Sequence, residues 1–215
     1  MQNKALHSDA ANREREYRRY MSITEKNNMH FEDEIFDKNT FEQKYIEFGF
    51  YDNCKFINCD FTNCNISKSN FVKCEFQDCN LSNIKMYDTV FTNAIFLNSK
   101  MMGLQFENCN DLLLTITFIG CILSHSSFYG LELKNTIFED TNLTGVDFTE
   151  SNLTKAYFKN CDLNQAVFFY TNLQGCDFST SFKYTLDPEV NKVQKAIFGL
   201  PEVVGLLSKY DISIK

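Results

Sequence analysis

The side chains here that could do chemistry are nine cysteines, three histidines and a surplus of carboxylates. Cysteine and histidine together raise the question of a metal site, which needs ligands in close pairs with a matching second pair. Cys54, Cys59, Cys64, Cys74, Cys79, Cys121, Cys161 and Cys176 instead occupy one recurring slot of a five-residue grid, and only Cys109 lies at a break in it. At that spacing a free cysteine reads as a small apolar core residue, and reduced thiols suit an intracellular compartment. Ser124-His125-Ser126 tempts a nucleophile reading, yet the grid sends Ser126 inward and His125 outward. No H-E-x-x-H, G-x-S-x-G or P-loop pattern occurs. The expectation is a protein that is not an enzyme, with no catalytic residue, metal or cofactor.

The grid itself is clearest from Asn142 to Phe178, where a large apolar residue returns every five positions: Leu143, Phe148, Leu153, Phe158, Leu163, Phe168, Leu173 and Phe178. Two positions before each lies a smaller residue, in order Thr141, Val146, Ser151, Ala156, Cys161, Ala166, Thr171 and Cys176. A helix returns its apolar face every 3.6 residues and a strand every two, so a period of five belongs to neither. The chain must turn through a similar angle every five residues and bury its large residues by stacking coil on coil. The large centre and the small slot then face the axis, and the other three positions face water. Asn142, Asp147, Asn152, Asp162, Asn172 and Asp177, each just before a centre, are short polar residues that bond their own backbone and support turns.

On these residues the chain resembles the pentapeptide-repeat family, with Ser151-Asn152-Leu153-Thr154-Lys155 and Ala166-Val167-Phe168-Phe169-Tyr170 as readable copies of its motif. The resemblance implies an all-β fold, a right-handed quadrilateral parallel β-helix with four repeats, about twenty residues, to each coil. It is similar to the quinolone-resistance (Qnr-like) subgroup, but lacks that subgroup's long loops.

Taken in order, residues 1–30 lack the repeat and read as a helical extension over Ser8 to about Met21, carrying all the arginines: Arg13, Arg15, Arg18 and Arg19. Residues 31–182 form the coil, imperfect at first, with good repeats from Gly49 and a break in register near 107–112 after which the beat resumes at Leu113. Residues 183–215 read as a C-terminal cap. Pro201, Glu202 and Lys209 frame a short helix, and Asp211-Ile212-Ser213-Ile214 suits a terminal strand. In the quinolone-resistance members an L-D-P turn and an apolar terminal helix join two subunits, so Leu200, Val203, Leu206 and Leu207 are the candidate contacts of a two-fold homodimer.

Charge separates the partner classes. The chain carries a formal net charge of −7, and the deficit resides on the coil. An acidic rod repels nucleic acid and attracts proteins that bind it. The resemblance accordingly implies a DNA mimic bound to DNA gyrase or topoisomerase IV; the alternative is a scaffolding solenoid with an unrelated protein partner. Glu75, Asp78, Glu139 and Asp140 mark one candidate partner surface, with Ile95, Leu97, Ile119 and Ile137 between them. No run of apolar residues is long enough to span a membrane, and the expectation is a cytoplasmic protein.

Overall fold

The computed structural model describes residues 29–38, 46, 48–210 and 212–214. The helix expected over Ser8 to Met21 lies outside them. Among the described residues thirteen short strands alternate with tight corners: β1 (Met29–Glu32), β2 (Ile35–Asp37), β3 (Gly49–Asp52), β4 (Lys55–Ile57), β5 (Asn70–Val72), β6 (Glu75–Gln77), β7 (Val90–Thr92), β8 (Ala94–Leu97), β9 (Ile116–Ile119), β10 (Ile137–Glu139), β11 (Tyr157–Lys159), β12 (Asp177–Phe178) and β13 (Ile197–Phe198). Each pairs in parallel with the strand one coil away, usually twenty residues on, as Phe56 does with Phe76 and Phe138 with Phe158. The result is a four-faced solenoid. One face is a four-stranded sheet in the order β1-β3-β5-β7, and the next is a nine-stranded sheet running from β2 to β13. The other two faces hold single bridges, such as Asp60 to Asn80 to Lys100 and Ser127 to Asp147 to Val167.

The corners explain why five residues suffice. At most corners the residue two after the centre has positive φ, as at Asn53, Asn58, Asn63, Gly130, Gly145 and Lys155. On the bridge faces the N–H three after the centre donates back to the centre's carbonyl, as from Val146 to Leu143 at 3.1 Å, closing a β-turn. The short polar residue before the centre reinforces this: the Asn142, Asp147, Asn152 and Asp162 side chains each accept the N–H two residues on. Asparagine, aspartate and glycine tolerate positive φ cheaply, and Glu150, Lys155 and Tyr170 occupy the same corner against their preference.

Inside, Phe148, Leu153, Phe158, Leu163, Phe168 and Leu173 are all buried. Under the nine-stranded face the centres form one column of stacked rings, Phe36, Phe56, Phe76, Phe96, Phe118, Phe138, Phe158, Phe178 and Phe198. Successive rings such as Phe138 and Phe158 lie 4.9 Å apart and 7° from parallel. That separation matches the spacing of paired strands, so backbone ladder and ring stack share one repeat.

The small slots do more than fill space. Their side chains donate to the carbonyl of a centre one coil below: Cys161 Sγ to Phe138 O at 3.3 Å, Ser181 Oγ to Phe158 O at 2.8 Å, Thr171 Oγ1 to Phe148 O at 2.9 Å. Cysteine, serine and threonine are interchangeable there because each offers one donor in a small volume. Burial pushes the Cys121 thiol up to about 11 and those of Cys161 and Cys176 up to about 12. All nine cysteines are buried and none is joined in a disulfide.

Two boundaries differ from the sequence reading. Val90 still pairs with Asn110, twenty residues on, while Ala94 pairs with Ile116, twenty-two on, so the two extra residues lie within 111–115. Leu114 is buried there and Leu113 only half-buried. Leu113 keeps the five-residue step to Phe118, yet packing buries its neighbour Leu114 instead. The coil also continues past 182, with Lys192 bridging to Asn172 and β13 pairing with β12. Asn191 disguises that coil. It sits in a small slot with its hydrogen bonds met internally, its amide donating to Phe168 O and its oxygen accepting Thr171 N–H.

A 3₁₀ helix, Glu202–Tyr210, closes the C-terminal end. A β-carbon at Gly205 would lie 1.9 Å from the Tyr184 carbonyl oxygen, so only glycine allows this approach. Lys209 clamps it, with Nζ 2.8 Å from Asp187 and 2.6 Å from Glu189. Residues 212–214 join no strand, because the last coil's ladder already ends at β13.

Candidate partner surface

The nine-stranded face carries Glu75 and Glu139 on its strands, with Asp78 and Asp140 at the positive-φ corners just past them. Register stacks Glu75, Ile95, Thr117, Ile137 and Tyr157 in one outward column, and Gln77, Leu97, Ile119, Glu139 and Lys159 in the next. Ile95 and Ile137 are exposed, while Leu97, Thr117 and Ile119 are half-buried. The middle of the face is therefore a flat apolar patch, with Glu75 and Asp78 at one end and Glu139 and Asp140 at the other. A groove of about 410 Å³ borders it where the two extra residues bulge, lined by Asn93, Ile95, Thr115, Thr117, Lys134 and Asn135 among others.

The acids are not bare charges. Lys55 Nζ stands 3.4 Å from Glu75, and Lys159 pairs with Glu139, whose hydrogen bond holds the ammonium above the usual lysine range. Asp78 accepts from the Gln77 amide at 3.0 Å and Asp140 from the Asn160 amide at 3.0 Å. The sequence reading left these partners out, although Lys55 and Lys159 stand one coil, twenty residues, from Glu75 and Glu139.

The C-terminal contacts divide. Leu206 packs against the coil core and Val203 is half-buried, whereas Leu200 is 87% exposed and Leu207 is also exposed. A 3₁₀ helix repeats every three residues, so Val204, Leu207 and Tyr210 share the open side and Val203 and Leu206 the closed one. The spacing of an α-helix had joined residues that this geometry separates. Val204, Leu207, Ser208, Ile212 and Ile214 line a shallow apolar hollow.

No catalytic constellation accompanies these surfaces among the described residues. His125 is exposed at a positive-φ corner, Ser126 donates inward to the Met101 carbonyl at 2.9 Å, and Ser124 donates to the Asn142 side chain. The described residues hold no helix long and apolar enough to cross a membrane.

A parallel solenoid of four faces, turning every five residues around a core of stacked side chains, defines the class of protein. Two sequence profiles agree with it, one described as pentapeptide repeat region over residues 113–182 and one as pentapeptide repeats over residues 51–95. The chain belongs to the pentapeptide-repeat family. Two trypsin-treated forms of QnrB1, a plasmid-mediated fluoroquinolone resistance protein, match with TM-scores of 0.56 and 0.50 at 16% and 15% identity, over 87% of this chain and 99% and 98% of theirs. HetL from the cyanobacterium Nostoc, a pentapeptide repeat protein involved in heterocyst differentiation regulation, matches at 13% identity with a TM-score of 0.35, over 85% of this chain and 91% of its own. At such identities these likenesses show the fold alone. Among curated proteins no sequence matches.

Proposed function

We propose that this chain is a non-enzymatic protein-interaction module that docks its partner on the nine-stranded face. The observation that carries this reading is the apolar patch of Ile95, Leu97, Thr117, Ile119 and Ile137 set between two acidic ends on a flat sheet. Exposed apolar surface rimmed by polar groups marks interaction sites. The likeness to QnrB1 and the acidic coil make a type II topoisomerase, DNA gyrase or topoisomerase IV, the first partner to test, with the rod standing in for DNA. The second reading, a scaffold with an unrelated protein partner, is favoured by the pairing of the same acids, since paired charges imitate phosphates poorly. A DNA mimic would inhibit gyrase supercoiling and protect against a fluoroquinolone at micromolar protein, with binding that weakens as salt rises. Absence of both effects leaves the scaffold reading. In either case Ile95→Asp with Ile137→Asp should abolish partner binding without loss of stability; retained binding would rule this face out.

We further propose that two copies associate through the C-terminal hollow as an isologous pair. Leu207→Asp should then convert a dimer to a monomer in sedimentation equilibrium, and a monomeric parent chain would refute the pairing. Nine cysteines without a disulfide suit a reducing compartment, and we place its action in the cytoplasm.

A further inference from the structure

Among the described residues 49–182 the exposed aromatic side chains are Tyr87, Tyr129, Tyr157, Phe169, Tyr170 and Phe182. Single exposed rings are ordinary on a surface, but three of these share one column. Register on one bridge face runs from Gln105 to Ser127, Asp147 and Val167, so the residues two further on, Glu107, Tyr129, Thr149 and Phe169, stack in the same order. One coil earlier the Asp88 N–H donates to the Asn108 carbonyl at 2.8 Å, which sets Tyr87 below Glu107. Aromatic rings therefore recur at every second rung, about 10 Å apart, with a polar residue between them. The Tyr129 hydroxyl donates to Glu150, one coil on, so its ring lies along the face instead of standing off it. Phe169 packs against Tyr170 with ring centroids 4.3 Å apart. Beside Tyr87 a groove of about 380 Å³ is lined by Lys85, Gln105 and Asn108 among others.

We propose that this column binds a neutral β-1,4-linked oligosaccharide laid along the rod. An extended β-1,4-linked chain turns each sugar over relative to the last, so every second sugar presents the same face to one side, at the two-rung interval of Tyr87, Tyr129 and Phe169. The C–H groups on a sugar's face stack on the negative face of an aromatic ring. The sugars between them meet Glu107 and Thr149, whose oxygens suit ring hydroxyls. Charge selects among ligands. Asp88, Glu107, Asp147 and Glu150 outnumber Lys85 along the column, which repels phosphates, sulfates and uronic acids. Nucleic-acid bases also stack on such rings, but their backbone is turned away by the same acids. From Tyr87 to Phe169 is four rungs, about 19 Å, so the first, third and fifth sugars of one chain meet the three rings. The bridge face lies across the rod from the nine-stranded face, and the two surfaces act independently.

The test is isothermal titration calorimetry of the full chain with β-1,4-linked hexasaccharides of glucose and of N-acetylglucosamine, beside the α-1,4-linked glucose hexasaccharide, whose coiled chain does not match the rungs. At least one β-linked chain should bind and the α-linked chain should not. Tyr129→Ala removes the middle ring and should weaken binding at least about tenfold, while Phe182→Ala, an exposed ring on another face, should leave it unchanged. Should Tyr129→Ala fail to fold by circular dichroism, Tyr87→Ala carries the same expectation. Ile95→Asp with Ile137→Asp should keep the parent affinity for the sugar, so loss of the protein partner and loss of the glycan are read separately. No β-linked chain bound at millimolar concentration, equal binding of the α-linked chain, or parent affinity without the Tyr129 ring overturns the proposal. So does a protein partner released by Tyr129→Ala from a chain that binds no glycan.

Discussion

The two sheet faces share an interior logic and differ on the outside. Under the nine-stranded face a phenylalanine column runs unbroken from Phe36 to Phe198. Under the four-stranded face Phe31, Tyr51, Phe71 and Phe91 stack for four coils; beyond the two-residue bulge the centres become Leu133, Leu153 and Leu173, and the strands give way to β-turns. The second aromatic column moves to Phe106, Phe128, Phe148 and Phe168 on the opposite side. The centre residue does not dictate strand or turn, since Phe128 and Phe148 also close β-turns. What the comparison teaches is that inward positions are chosen for volume and stacking, and are nearly equivalent from face to face. Outward positions carry the distinctions: an open apolar patch on one sheet, buried residues on the other.

The strongest way to break the inward half of that comparison is to charge one rung of the phenylalanine column. Phe158 is fully buried between Phe138 and Phe178, with no room for water. Phe158→Asp strips the stacking and buries a carboxylate without a partner, which should leave no cooperatively folded protein by circular dichroism. The adjacent outward change, Lys159→Asp, loses an exposed pairing with Glu139 and should unfold close to the parent temperature. Equal tolerance of the two would contradict the assignment of inside and outside.

The inward half was the legible part of the sequence. A five-residue period is a local signal, and each large residue repeats the evidence of the one before, so coil, slots and turn-supporting asparagines could be read directly. Where the local signal misled, the reading slipped, as at the two-residue insertion, where Leu114 and not the in-step Leu113 is buried, or at Asn191, whose polarity hides an inward slot. The outward half was legible only in composition. Sequence showed acids and isoleucines on one face, but the Lys55–Glu75 and Lys159–Glu139 pairs depend on register between coils. Likewise Val203 and Leu207, four apart, fall on different sides of the C-terminal helix because that helix is 3₁₀. Nothing in the local pattern distinguishes Asn70 from Asn152, since both stand just before a centre.

That last pair sharpens the outward half of the comparison. A buried amide without hydrogen bonds costs about 1–3 kcal/mol relative to an apolar group of similar shape. Asn70 is such an amide, lying between Phe50 and Val90 in a strand, where a β-branched side chain also suits the backbone. Asn70→Val should therefore stabilise the protein by about that amount, raising its unfolding temperature by roughly 2–4 °C per kcal/mol. The mirror change on the open face, Ile95→Asn, exchanges one solvated side chain for another and should stay within about 0.5 kcal/mol of the parent. If the two faces were equally open to water, neither substitution would move stability much, because the Asn70 amide would already be hydrated. A clear gain at position 70 with near silence at 95 is the result that only a covered face and an open one produce together, and thermal unfolding of the two variants beside the parent reads it directly.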